Sequence, residues 1–301
     1  MTLQAQQETM PDRRASTHKR RMRGRRARAS HDALNRISRW SGWPAVAKWG
    51  GFVVLFITYF PILMLAVLSF SDRPLSGVPY PLTLMHYESL FTSTGWVLPL
   101  WKSFAIAVAV AITCMIVATS VGRAIPMMAR PGRWVVFAII PIFVPGMTMG
   151  AALFTLLRAH LELRMGLWSI YLGHLVWALP FALLLVLVLV TRFDRRLLQA
   201  AEDLGANAWQ RFWHIEFPIL RPGIIGAGLF GFLLSFNEVL RSIFLRGTET
   251  TMPVWNWLMA ASQQTQVPVI FSLSTIILAI TVPLLSAFFW VLFVRLDKDS
   301  T

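Results

Sequence analysis

Apolar residues in this chain do not alternate with polar ones; they gather into long runs with few charges inside them. The runs lie at about Gly51 to Phe70, Ser103 to Gly122, Trp134 to Leu157, Leu167 to Thr191, Gly223 to Leu240 and Val269 to Val294. Each is close to the roughly 20 residues that a helix needs to cross about 30 Å of hydrocarbon. Hydrocarbon offers no partner to a backbone N–H or C=O, so a spanning segment must bond internally, and the runs lack the two-residue alternation of barrel strands. The pattern therefore predicts an all-α, polytopic membrane protein with six transmembrane helices.

Helix breakers punctuate several runs: Pro141 and Pro145 in the third, Pro180 in the fourth and Pro283 in the sixth. Kinks are expected there, because proline survives in a span where neighbours or water satisfy the freed carbonyl. The fifth run carries Gly223, Ala227 and Gly231 at a spacing of four, with Gly226 and Gly228 beside them. Such small-residue faces let another helix approach closely, in this chain or in a partner.

Composition agrees with the membrane reading, since 56% of the 301 residues are hydrophobic and only 14% charged. Six spans and short loops leave no room for a second globular domain. The formal net charge of +14 changes the picture only locally, because about 12 of the 28 basic residues precede position 50. The stretch from Arg13 to Arg28 has neither interleaved aromatics nor apolar periodicity, and reads as a disordered or interfacial tail that meets anionic headgroups, not nucleic acid. The apolar run behind it is too long for a cleavable signal sequence, so the pair is expected to act as a signal anchor. Basic residues recur in alternate connections (Arg123, Arg130 and Arg133; then Arg192, Arg195, Arg196, Arg211 and Arg221), which places the tail, these loops and both termini in the cytoplasm. Tryptophans near predicted span ends, such as Trp49, Trp101, Trp134 and Trp168, suit the headgroup zone. The single cysteine, Cys114, excludes an internal disulfide and reads as packing.

The connection from Arg192 to Pro222 is long for a bundle and internally ordered. Residues Arg195 to Leu204 place Leu197, Leu198, Ala201 and Leu204 three or four apart, a short amphipathic helix that Gly205 can close in the left-handed conformation. A second piece, Ala208 to Phe217, sets Trp209, Phe212, Trp213 and Glu216 about a turn apart and is expected to stop at Pro218. The expectation is a helix-turn-helix on the cytoplasmic surface.

The segment QAAEDLGANAWQRFWHIEFPILRPG resembles the EAA loop of binding-protein-dependent ABC transporter permeases, whose pattern runs Glu-Ala-Ala, three residues, Gly, nine residues, Ile, one residue, Leu-Pro. Ala200, Ala201, Gly205, Ile215 and Pro218 stand at those spacings, while Gln199 replaces the family's glutamate and Phe217 its leucine. From Gly51 to the C-terminus the layout is similar to the type I importer permeases, particularly the spermidine/putrescine group, through Ser69 to Leu90 and Ser235 to Gly247 as well as the loop. Residues 1–48 fall outside the likeness as the basic tail; residues 49–301 form the six-helix permease domain, with 192–222 as its coupling loop. The resemblance implies that Gln199, Ala200, Ala201, Gly205, Ile215 and Pro218 engage a cytoplasmic ATPase subunit. It further implies a second permease subunit, two ATPase subunits and a periplasmic solute-binding protein as partners, with polyamine-like solutes as cargo. The chain shows no Gly-rich stretch ending in Gly-Lys-Ser/Thr, so no cofactor is expected on it and ATP would bind to partner subunits.

Ionisable groups inside a span are costly and invite a functional reading. Glu238, with Ser235 and Asn237 nearby, is the candidate for the translocation pathway of an amine-bearing solute, although Arg241 could pair with it on the same helix face. Arg241 also leaves room for opines, amino-acid derivatives or aminophosphonates as cargo. His174 has no companion at ligand spacing and is expected to be a packed, hydrogen-bonded residue; His160, Glu162 and Arg164 fit a solvated turn or a docking loop equally. A secondary transporter would usually show internal repeats and more buried charges, and a membrane enzyme would need clustered carboxylates or histidines; neither pattern is visible.

Overall fold

The structure, a computed structural model, describes residues 43–290. The basic tail lies outside the described residues. The chain divides into two compact units, Met1–Leu65 and Ala66–Thr301. The described part of the first is helical throughout and belongs to α1 (Trp43–Leu68), which from Val46 onward is long and apolar enough to span a bilayer.

The second unit is built on three long helices: α3 (Val97–Ala124), α6 (Leu167–Arg192) and α9 (Phe217–Phe236), each packed against the other two. Their shared core holds Ile106, Val110, Cys114 and Ala118 from α3, Ala182 and Val186 from α6, and Ile224 and Ala227 from α9. The glycines of α9 are used inside the chain: a Cβ on Gly231 would stand 3.1 Å from Cys114, and one on Gly228 would stand 2.6 Å from the sulfur of Met115. Cys114 is thus the small residue opposite a glycine, and backbone proximity, not thiol chemistry, accounts for its place.

Before α3 lies α2 (Met85–Thr92), whose Leu90 joins a smaller core with Met252, Val269 and Leu273. Met252 opens α11 (Met252–Ser262), and Val269 and Leu273 lie on α12 (Val267–Trp290), which packs on α2.

The third apolar run departs from the kinked span expected of it. It breaks into α4 (Pro131–Ile139), a tight turn Ile140–Phe143, and α5 (Gly146–Phe154), with a bend of 96° between the two arms. Pro141 enters the tight turn, and Val144 is extended (ψ 123°) because the following Pro145 disfavours a helical predecessor. Among the described residues, five helices are long and apolar enough to cross a membrane, or six if the bent pair is one span. All the described secondary structure is helical apart from turns and one isolated bridge between Ser71 and Leu82.

Candidate functional site

The connection after α6 folds as two helical pieces joined by a tight turn. Helix α7 (Arg196–Asp203) starts where the Asp194 carboxylate accepts the Arg196 N–H at 2.9 Å. It ends at Gly205, whose φ of +85° is the left-handed conformation expected of it. Around that glycine the Gly205 N–H donates to the Glu202 carbonyl at 2.8 Å and the Ala206 N–H to the Ala201 carbonyl at 2.9 Å, the paired bonds of a Schellman cap. Asn207 then caps α8 (Ala208–Arg211), its side chain accepting the Gln210 N–H while Gln210 reaches back to the Asn207 N–H, both at 2.9 Å.

The second piece does not stop at Pro218. A π-helical turn, Phe212–Glu216, carries α8 directly into α9, so one continuous run extends from Ala208 to Phe236. Pro218 follows directly on the π turn, where the Phe217 N–H donates to the Phe212 carbonyl, and the run continues although proline brings no N–H of its own.

Residues Gln199, Ala200, Gly205 and Pro218 are exposed, and Ala201 and Ile215 half-buried. No residue of α7 is buried, although the helix is amphipathic: Leu197 is 46% exposed and Leu204 89%. An amphipathic helix normally buries its apolar face; here Leu198 and Ala201 are half-buried, while Leu197 and the cap residue Leu204 are left uncovered. Beside it, Leu204, Gly205, Ala206, Gln210, His214 and Ile215 line an open depression. The Glu202 carboxylate pairs with Arg211 across the turn, and Glu216 pairs with Arg123 at the end of α3.

The second cluster sits where α9 ends and the short helix α10 (Leu240–Leu245) begins. Glu238 is 7% exposed and Arg241 2%. The Arg241 Nη1 donates to Glu238 Oε2 at 2.7 Å and the Arg241 backbone N–H donates to Oε1 at 3.0 Å, so both carboxylate oxygens are engaged within this turn. The Arg241 guanidinium also lies 4.2 Å from the ring centre of Trp177 and donates through Nε to the Met149 sulfur at 3.3 Å. Gly146 and Gly150 of α5 make room for this: a Cβ on Gly150 would stand 3.2 Å from the Arg241 Cα. His174 bridges the break, with Nδ1 2.8 Å from the Ser235 hydroxyl and Nε2 2.7 Å from that of Ser242. Ser242 in turn donates to the Glu238 carbonyl at 3.0 Å.

Of the three pathway candidates, Ser235 and Glu238 therefore face inward and are fully bonded, whereas Asn237 is exposed and ties its amide to the Leu233 carbonyl at 3.0 Å. Sequence reasoning placed His174 as a packed residue but could not name its serine partners. It named Arg123 only among the basic loop residues and Glu216 only as a position on the second helical piece, and did not pair them, since neither charge stands alone inside an apolar run. Glu162, by contrast, lies in an exposed turn at φ +53°, with His160 donating to the Thr155 carbonyl.

No family model matches the chain. Among curated proteins, it is 28% identical over 200 residues to the spermidine/putrescine transport system permease protein PotC of Haemophilus influenzae, covering 65% of this chain and 77% of that one. It is also 28% identical over 272 residues to the putrescine transport system permease protein PotI of Escherichia coli, covering 86% of this chain and 93% of the relative. The chain is thus similar to permease proteins of polyamine transport systems. Among solved structures, the permease superposes on a chain of a bacterial ABC transporter that imports the acidic polysaccharide alginate, with a TM-score of 0.62 at 14% identity, over 85% of this chain and 96% of that one. A second alginate transporter structure, in complex with a pentasaccharide-bound periplasmic protein, matches with a TM-score of 0.61 at 14% identity, over 82% and 92%. Its long apolar helices and its likeness to transport permeases agree on a multi-pass membrane protein that serves transport.

Proposed function

We propose that the permease forms half of the pathway by which a small polar solute, polyamine-like in character, is imported, and that α7 is the element through which a cytoplasmic ATPase drives it. The observation that carries this reading is α7 itself: an amphipathic helix closed by the Gly205 cap, none of whose residues is buried, with Leu197 and the adjoining Leu204 exposed. A socket on a partner chain would cover them. In this reading Gln199, Ala200, Ala201 and Gly205 meet the ATPase, while Ile215 and Pro218 support the turn into α9.

A second permease subunit completes the pore, two ATPase subunits bind and hydrolyse ATP, and a periplasmic binding protein delivers the solute. Both termini and α7 lie on the cytoplasmic side, in keeping with the basic residues of those connections. Asn237 faces the pathway at the end of α9. Glu238 and Ser235 hold the shape of the break beside it.

A polyamine-like cargo agrees with the names of the relatives PotC and PotI. It also agrees with the ion pair, because Glu238 balances Arg241 and the break offers no uncompensated positive charge to repel a polycation. The alternative cargoes, opines, amino-acid derivatives and aminophosphonates, carry an anionic group that would compete for Arg241. The experiment is uptake into proteoliposomes containing the permease, its second permease, ATPase and binding protein. ATP-dependent uptake of putrescine or spermidine, and not of the anionic solutes, is expected; uptake driven by an ion gradient without ATPase would overturn the importer reading.

A further inference from the structure

The turn Phe212–Glu216 is π-helical. Such a turn holds an extra residue, rotates the side chains that follow against those that precede, and recurs where a helix must re-aim a group. Here it directs Phe212 and Glu216 toward one residue of another span. Arg123, in the last turn of α3, ion-pairs with Glu216 and places its guanidinium 4.6 Å from the ring centre of Phe212. The Glu216 side chain is only 9% exposed. Removing the partner of so enclosed a carboxylate leaves a charge without compensation.

A second bridge leads to the same place. Glu202 of α7 pairs with Arg211, the residue just before Phe212. Together the bridges form a side-chain route from α7, through α8 and the π turn, to α3, independent of the backbone links from the loop to α6 and α9. A small crevice lined by Val190, Phe193, Leu198, Leu220, Arg123 and Glu216 lies between α7 and the ends of α3, α6 and α9, so the ion pair sits where the loop meets the bundle.

We propose that the Arg123–Glu216 pair, braced by Phe212, is the joint that transmits displacement of α7 to α3. The proposal rests on the reading that an ATPase grips α7. Glu216 acts as a positioning residue: it touches neither solute nor nucleotide, and fixes α3 to the moving loop. Without the pair, the loop moves while α3 lags, and ATP is hydrolysed without import.

The test uses the full importer in proteoliposomes, comparing wild type, Glu216→Gln, Arg123→Gln, the double Gln variant and the charge swap Arg123→Glu with Glu216→Arg. Two quantities are read: ATPase subunit retained on purification, and ATP hydrolysed per solute imported. Retention should stay at the wild-type level while each single Gln variant raises the ratio about tenfold, within the roughly 5- to 150-fold usual for coupled sites. The double variant should be no worse than either single one, and the swap should recover part of the loss. Single variants with ratios within about twofold of wild type, with ATPase retained, overturn the joint. Should the Gln variants fail to accumulate, Phe212→Leu keeps the ion pair and removes only the ring; a raised ratio supports the joint and an unchanged one overturns it. Failure of the wild-type permease itself to retain ATPase would sink the underlying reading instead, so the two failures are separable.

Discussion

Replacing Gly205 by valine probes the loop through its backbone alone. A Cβ at this position meets nothing within 4 Å, so the substitution adds no clash. Its effect comes from φ +85°, a region that L residues rarely enter and β-branched ones least of all. Holding valine there costs about 1 to 3 kcal/mol. Escaping it opens the two bonds of the cap, at 2.8 and 2.9 Å, which in an exposed turn exchange largely for water. A net cost near 2 kcal/mol shifts the equilibrium between in-register and displaced α7 and α8 about 30-fold, at roughly 1.4 kcal/mol per tenfold. Affinity for the ATPase subunit should fall by up to about that factor, and import with it. Asparagine tolerates the left-handed region, so Gly205→Asn should lose less than about fivefold. The melting temperature of the isolated permease should hardly change, because nothing in the bundle packs on Gly205. The assay is titration of ATPase subunit onto detergent-solubilised permease. Equal losses for valine and asparagine would refute the backbone argument, and no loss for valine would refute the loop's role.

Three further outcomes are expected. Glu238→Gln leaves Arg241 buried without its counter-ion and should destabilise the permease by about 3 to 5 kcal/mol, read by thermal unfolding, while Glu238→Leu with Arg241→Met should recover most of it; a single variant as stable as wild type would show the pair to be dispensable. Gly231→Val drives a side chain against Cys114 and the backbone of Ala111 and should cost about 1 to 3 kcal/mol by overpacking, with Gly231→Ala milder; equal stability of all three would mean that α3 and α9 are not in close contact. Asn237→Ala removes an exposed amide and should alter uptake rate or affinity without moving the unfolding temperature, whereas unaltered transport would take Asn237 out of the pathway.

The spans were legible because hydrocarbon leaves a backbone so few options: the run Leu167 to Thr191 reappears as α6 almost residue for residue. The Gly205 cap was legible for a similar reason, since a glycine at the end of an apolar periodicity has one common use. Angles were harder. Pro141 and Pro145 each signal a kink, but the 96° bend arises from their conjunction with an extended Val144, which no single residue announces. Pro218 misled because proline usually ends a helix in mid-course, yet here the run continues through it from the π turn before it. The partners of His174 and of Arg123 lie on distant segments, and pairing between segments leaves no local trace in either. The polar residues at 235–242 could be seen as unusual; that they bond to one another, with α5 glycines clearing the space, is a property of packing.

The most direct test of the central claim is whether α7 is gripped by an ATPase subunit in the assembled importer. The single cysteine of the chain, Cys114, is buried, so a thiol introduced by Ala200→Cys can be cross-linked against a low background. Phe143→Cys, at a residue 78% exposed in the bent pair, serves as the control. In membrane vesicles carrying the importer, Ala200→Cys should form an adduct with the ATPase subunit whose yield changes when ATP is added, and Phe143→Cys should form none. A freely reactive thiol at position 200 that yields no adduct with the ATPase, with or without nucleotide, would contradict the account.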